Sequence, residues 1–284
     1  MSNPEHQSQE SSVPLPAENV PAADSFGVAK SLPDGRHAET SPPWSVLDLA
    51  LVVVFSVAAW ILLSSLALGV AHLSASKQHV SVQNLASSPV VALATQSATE
   101  LAVLLFIVTW IGRLSQQGFW DTIHWNWPRA IIARLLIGGI VLALVVDFAA
   151  RFLPIPKSLP VEKFLSGMAA AYLMSALGIF LAPLVEELFF RGLFYPLARK
   201  WAGVTPAVLL TSALFAAIHG AQLGFAVAPL LSIFVVGVVF TLVREKTNSV
   251  AASFLVHCGY NSALFATLWV GSDHFRHLEK VANG

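Results

Sequence analysis

The stretch Pro183-Leu-Val-Glu-Glu-Leu-Phe-Phe-Arg-Gly192 sets two adjacent carboxylates, Glu186 and Glu187, and a guanidinium, Arg191, at the end of an apolar run that begins near Phe164. A charge near the centre of a bilayer is penalised by about 2.5–3.5 kcal/mol on insertion scales, so ionisable groups this close together need partners, water or a chemical task. On a helix, Glu187 and Arg191 share a face with the acid first, the favourable order for an ion pair. Glu186 lies about 100° round the helix and is left free by that pairing. One glutamate reads as a structural partner, the other as available for chemistry.

Two further polar elements interrupt apolar runs. Phe215-Ala-Ala-Ile-His219 ends one run with a histidine, and His257-Cys-Gly-Tyr-Asn261 puts His257 and Asn261 on one helical face. Taken singly, each has an ordinary explanation: a buried imidazole bonded to a carbonyl, or an amide joining two helices. Together, a free carboxylate, two imidazoles and an amide donor on three separate spans suit a polar cavity where a peptide could be cleaved. A carboxylate and an imidazole can hold and deprotonate a water, while a second imidazole N–H and an amide N–H can stabilise the oxyanion that follows.

The elements that must position these groups are read from composition. Of 284 residues, 56% are hydrophobic and only 11% charged, with mean hydropathy +0.70. Soluble chains carry about 25% charged residues, so this is a polytopic membrane protein, all-α, with about seven transmembrane helices around a polar intramembrane cavity. Basic and acidic residues balance at 16 each, which argues against nucleic acid as a partner. The single cysteine, Cys258, excludes an internal disulfide and a cysteine-based zinc cage. Beside His257 it points away around the helix and reads as buried filler.

Residues 1–43 are rich in Pro, Ser, Glu and Ala and are expected to form a disordered tail, with no apolar segment of a secretory signal. The transmembrane helical domain that would carry this chemistry is expected over 44–272 and a short C-terminal tail over 273–284. Apolar runs of spanning length fall at 45–70, 90–112, 130–151, 164–190, 204–220, 226–243 and 249–270. The fifth and sixth are short and joined by Gly220 to Phe225, so a hairpin that does not reach both surfaces is an alternative. With loops on alternating sides, ten basic residues (Lys30, Arg36, Arg113, Arg129, Arg134, Arg191, Arg199, Lys200, Arg244, Lys246) oppose six (Lys77, Arg151, Lys157, Lys163, Arg276, Lys280). This bias favours a cytoplasmic N-terminus in a multi-pass protein, of the plasma (inner) membrane if bacterial. Trp120, Trp125 and Trp127 read as interfacial anchors beside membrane lipid, with His124 among them. Asp147 has a ready partner in Arg151 one turn later.

The three motifs Glu186-Glu-Leu-Phe-Phe-Arg191, Phe215-x-x-x-His219 and His257-x-x-x-Asn261 resemble those of the CPBP family, the CAAX prenyl-protease and bacteriocin-processing group of intramembrane proteases. They occur in the family's order, and the resemblance covers about residues 85–270. It implies an endopeptidase with a cavity open to the cytoplasmic side, acting on a membrane-associated or lipidated peptide or protein. Glu186 would be the general base with His219 helping it hold water, His257 and Asn261 would form the oxyanion site, and Glu187 with Arg191 would be the structural pair.

Glu186, His219 and His257 could alternatively ligate zinc, but no H-E-x-x-H is present and Asn261 is a poor zinc ligand, so metal-free glutamate chemistry is preferred. Glu100, in Gln96-Ser-Ala-Thr-Glu100, reads as a protonated or arginine-paired group steadying the bundle, or as a support for Arg191 or for the substrate backbone. A serine protease lacks its G-x-S-x-G here, and an aspartyl enzyme lacks a second intramembrane aspartate. The rival class is a non-proteolytic membrane scaffold or bacteriocin-immunity-like protein using the same cavity to bind a partner.

Overall fold

The computed structural model describes residues 41–78, 83–84, 87–154, 156 and 158–278. The tail expected over 1–43 therefore lies almost wholly outside the described residues, as does 279–284. Seven helical rods dominate what is described: α1 (Val46–Gln78), α2 (Pro89–Leu114), α3 (Ile132–Ala150), α4 (Met168–Ala202), α5 (Val204–Ile218), α6 (Val227–Thr247) and α7 (Val250–Gly271). No strand occurs among the described residues.

Five of these, α1, α2, α3 with its preceding turn, α4 and α6, are long and apolar enough to cross a membrane. At 15 residues α5 is shorter, and at about 1.5 Å per residue it covers only part of a hydrocarbon layer of about 30 Å. The 22 residues of α7 are long enough, but Ser253, His257, Tyr260 and Asn261 lower its hydropathy. Of the hairpin alternative, only α5 is short; α6 runs for 21 residues.

The fourth rod departs most from the expected spans. It continues through residues 191–200, where a turn was expected, and stops only at Gly203, whose φ of 78° no helix-continuing side chain favours. Two prolines are accommodated within it. A proline clashes with the carbonyl four residues back, which for Pro183 is that of Ile179 and for Pro196 that of Gly192. Both carbonyls lie in π turns, Leu177–Leu181 and Leu188–Phe194, whose wider ladder makes room for the ring.

Contacts along the bundle define two ends. At one, the Trp44 indole donates to the Leu193 carbonyl at 2.9 Å and the Trp110 indole to Asp48 at 3.0 Å. There too the Val250 amide donates to the His124 carbonyl, and the Ser249 hydroxyl to that of Asn126. Trp120, Trp125 and Trp127 stack edge to face beside this junction. At the other end the Val161 amide donates to the Gln222 carbonyl at 3.0 Å, and Tyr172 packs against Phe275. The first is called the basic end below and the second the mouth end.

The tightest helix crossing is between α3 and α7. A Cβ added at Gly139 would stand 2.1 Å from the Val256 carbonyl oxygen, and one at Gly259 would stand 2.2 Å from that of Leu136. Two glycines thus let the backbones touch, the small-residue packing that joins helices in lipid. Because Gly259 lies between His257 and Asn261, this crossing also sets the height of α7 beside α4. Gly139→Ala and Gly259→Ala are each expected to destabilise the folded protein by at least about 1–3 kcal/mol, the usual cost of overpacking. Denaturant titration in detergent, with Gly138→Ala, which meets nothing within 4 Å, as the control, checks this.

Candidate active site

The site is built on a buried ion pair. Arg191 and Glu187 are both fully buried, and Arg191 Nη1 donates to Glu187 Oε1 at 2.9 Å across one turn of α4. Two further bonds come from α6: Nη2 donates to the Gly237 carbonyl at 3.0 Å and Nε to Thr241 Oγ1 at 3.3 Å. Its carbon lies 4.5 Å from the Phe215 ring centroid of α5, within cation–π range. Glu187 Oε1 also accepts from His257 Nδ1 of α7 at 3.0 Å. The pair expected from spacing is present, and it recruits a histidine that spacing did not connect to it.

That bond orients His257. A carboxylate engaged by arginine accepts, so Nδ1 carries a proton and Nε2 faces the other way. His219 follows the same logic: its Nδ1 is 2.8 Å from the Phe215 carbonyl, which only accepts. Both rings therefore turn Nε2 toward Glu186. His219 Nε2 is 3.8 Å from Glu186 Oε1, and His257 Nε2 is 3.8 Å from Glu186 Oε2. These separations are too long for direct hydrogen bonds and suit a shared water. Glu186, His219 and His257, from three helices, are thus brought together as expected.

They face a cavity of about 240 Å³. Asn261 lines it too, with Nδ2 donating to the Gly178 carbonyl at 2.6 Å. Gly178 belongs to the first π turn of α4, whose widened ladder leaves carbonyls short of partners. Asn261 therefore ties α7 to α4 with one N–H and keeps a second. Tyr260, Gln96 and Gln222 also border the cavity, amid largely aliphatic and aromatic walls. Gln96 and Gln222 had no assigned role in the sequence. Their signal was two carbamoyl groups beside otherwise apolar segments, and only the fold brings them to one cavity.

Glu100 does not pair with Arg191. Its Oε1 accepts from Gln96 Nε2 at 2.9 Å, so it acts on the cavity through Gln96. Asp147 and Arg151 form the expected pair at 3.2 Å, and it is exposed. Cys258 is buried. Among the described residues no group of three or more His, Cys, Asp and Glu side chains is placed to hold a metal ion, which does not favour Glu186, His219 and His257 as the alternative zinc set.

Residues 168–263, about a third of the chain, match the family model described as type II CAAX prenyl endopeptidase Rce1-like. The match spans α4 to the middle of α7 and contains all of the residues just named from those helices. No curated protein and no solved structure matches the chain.

Removing one member of a buried ion pair strands the other charge and costs about 3–5 kcal/mol, whereas Glu186 faces a cavity and carries no direct hydrogen bond to either imidazole. Glu187→Ala is expected to lower unfolding free energy by about that amount, and Glu186→Gln by less than about 1 kcal/mol. Equilibrium unfolding of both variants in micelles measures the difference.

Proposed function

Because the chain belongs to the CPBP family, matching its type II CAAX prenyl endopeptidase Rce1-like model, and is a membrane peptidase, we propose that it hydrolyses a peptide bond of a membrane-associated polypeptide with a water activated by Glu186. The observation that carries this reading is the pair of 3.8 Å separations from Glu186 to His219 and His257 at the wall of one cavity. A single water between them can donate to the carboxylate and to an imidazole.

In this mechanism Glu186 takes a proton from the water as its oxygen attacks the peptide carbonyl carbon. His219, fixed by the Phe215 carbonyl, holds the water on the side facing the substrate. The carbonyl oxygen becomes an oxyanion, for which the second N–H of Asn261 is a preorganised donor. His257, its ring held in place by Glu187, faces the reacting centre through Nε2. Collapse of the tetrahedral intermediate breaks the C–N bond, and the proton on Glu186 passes to the departing amine. Glu187 and Arg191 take no proton in this scheme; they are positioning residues.

Prenylated C-terminal peptides and leader peptides both satisfy these requirements, since each presents an extended backbone beside apolar groups that the cavity walls can take up. Glu186→Gln and His219→Ala are expected to lower cleavage by about 10²–10⁴-fold with unchanged folded yield, and Asn261→Ala by about 10²–10³-fold. Comparing membrane peptides that accumulate with wild type and with each variant checks this. Chelation of purified enzyme should leave its rate unchanged. Full cleavage by Glu186→Gln would overturn the reading.

A further inference from the structure

Hydrolysis engages one peptide bond, but the cavity must take in more of the substrate than that. Glu186, His219, His257 and Asn261 act on the scissile carbonyl and its water. The peptide groups on either side each bring an N–H and a C=O into a space whose walls are largely aliphatic and aromatic. Water is scarce at membrane depth, and a peptide group buried without a partner weakens binding. Beyond the four residues just named, side-chain nitrogen and oxygen groups border this cavity from Gln96, Gln222 and Tyr260.

Among the described residues only Gln96 of these three has its side chain hydrogen-bonded within the protein. Its Nε2 donates to Glu100 Oε1 at 2.9 Å, one turn further along α2. That bond fixes the plane of the carbamoyl group and leaves its second N–H and its Oε1 without a protein partner. Packing sets the height. Leu93 clusters with Ala170 and Leu177, while Val103 and Ile107, further along α2, cluster with Leu184 and Leu188, so α2 runs beside α4 in the same direction. Gln96 and Glu100 fall between these contacts, beside the first π turn of α4, where Asn261 is bonded to Gly178.

Glu100 is badly placed to steady the bundle. Its Oε1 accepts from a residue of its own helix, so the bond joins no two helices, and its Oε2 is buried with no partner. An ionisable group kept at membrane depth in this state points to function. What the bond does is aim Gln96.

We infer that Gln96 binds the substrate backbone beside the scissile bond, and that Glu100 is a positioning residue that holds the carbamoyl group ready for it. The inference rests on the proteolytic reading of Glu186. In an extended chain the N–H and C=O of one residue point the same way; Gln96 Oε1 accepts from that N–H and its second N–H donates to that C=O. The contact is blind to side chains and selects an extended backbone over a particular sequence. Fixing Gln96 in advance spares the rotamer freedom that a glutamine otherwise loses on binding.

Purified variants in detergent and a library of quenched peptides with farnesylated and unmodified C-termini test this. Gln96→Leu is expected to raise KM about tenfold with kcat within about twofold of wild type, since a contact made equally in ground and transition states acts on KM alone. Glu100→Leu should raise KM severalfold, and Glu100→Gln, which keeps an acceptor for Gln96, should restore it. The double variant Gln96→Leu/Glu100→Leu leaves no carboxyl group without its glutamine and should match Gln96→Leu alone, because Glu100 works through Gln96. An ester in place of the contacted backbone N–H should raise KM for wild type and not for Gln96→Leu. A bundle-steadying role would instead lower the folded fraction and the maximal rate, and the two losses would add. That pattern, or an unchanged KM in the Gln96 variants, overturns the inference and leaves the proteolytic reading standing. If wild type cuts no member of the library, the proteolytic reading fails and the inference falls with it.

Discussion

Arg191 is the point at which four helices are held to one another. Its guanidinium belongs to α4, bonds Gly237 and Thr241 of α6, lies over Phe215 of α5, and reaches His257 of α7 through Glu187. Burying a guanidinium and a carboxylate costs several kcal/mol each in lost hydration, and their attraction offsets this only where the remaining donors are also bonded. Here all three nitrogens of Arg191 have partners. The result is less a gain in stability than a fixed geometry, because any shift of one of these helices would leave a buried charge without its neighbours. A cavity whose function depends on separations of a few ångströms needs this kind of restraint.

The same helix that carries the pair is also the least regular. Its two π turns relieve the clashes of Pro183 and Pro196, and the first opens a carbonyl at Gly178 that Asn261 then takes. An added Cβ at Gly178 would stand 2.6 Å from the Phe265 ring, so the absence of a side chain lets α7 come close enough for that bond. Between this tie and the bond of His257 to Glu187, α7 is fastened to α4 at two heights, with Glu186 between them. The glycine contact with α3 fixes α7 from behind. A flexible-looking helix thus becomes a rigid frame because each departure from regularity is occupied by a partner.

That frame makes the site one-sided. The polar groups of the cavity face the mouth end, and the layer beneath them is packed without exposed atoms at Glu187, Arg191 and Phe240. In lipid, where a polar opening needs walls that can be wetted, a closed floor confines water to the side on which Glu186, His219 and His257 lie. The one-sidedness of the cavity therefore follows from a single buried layer.

From the order of residues alone came the helical class, most of the span positions and the identity of the polar groups, since apolar runs, the i to i+4 pairing of Glu187 with Arg191 and of Asp147 with Arg151, and the three motifs are all local in the chain. The assignment failed where local signals compete. Residues 191–200 read as a basic turn, yet they remain helical, because Arg191 has a buried counter-charge and no glycine interrupts the rod until Gly203. Glu100 read as protonated or arginine-paired, or as a support for Arg191 or the substrate backbone; the bond it makes is to Gln96. Only the tertiary structure decided that His257 rests on Glu187, that Asn261 spends an N–H on Gly178, that Gln96 and Gln222 line one cavity, and that a buried layer lies beneath it toward the basic end. Each of these joins residues on different helices, and the distance between helices is set by side-chain packing that no periodicity in one segment records.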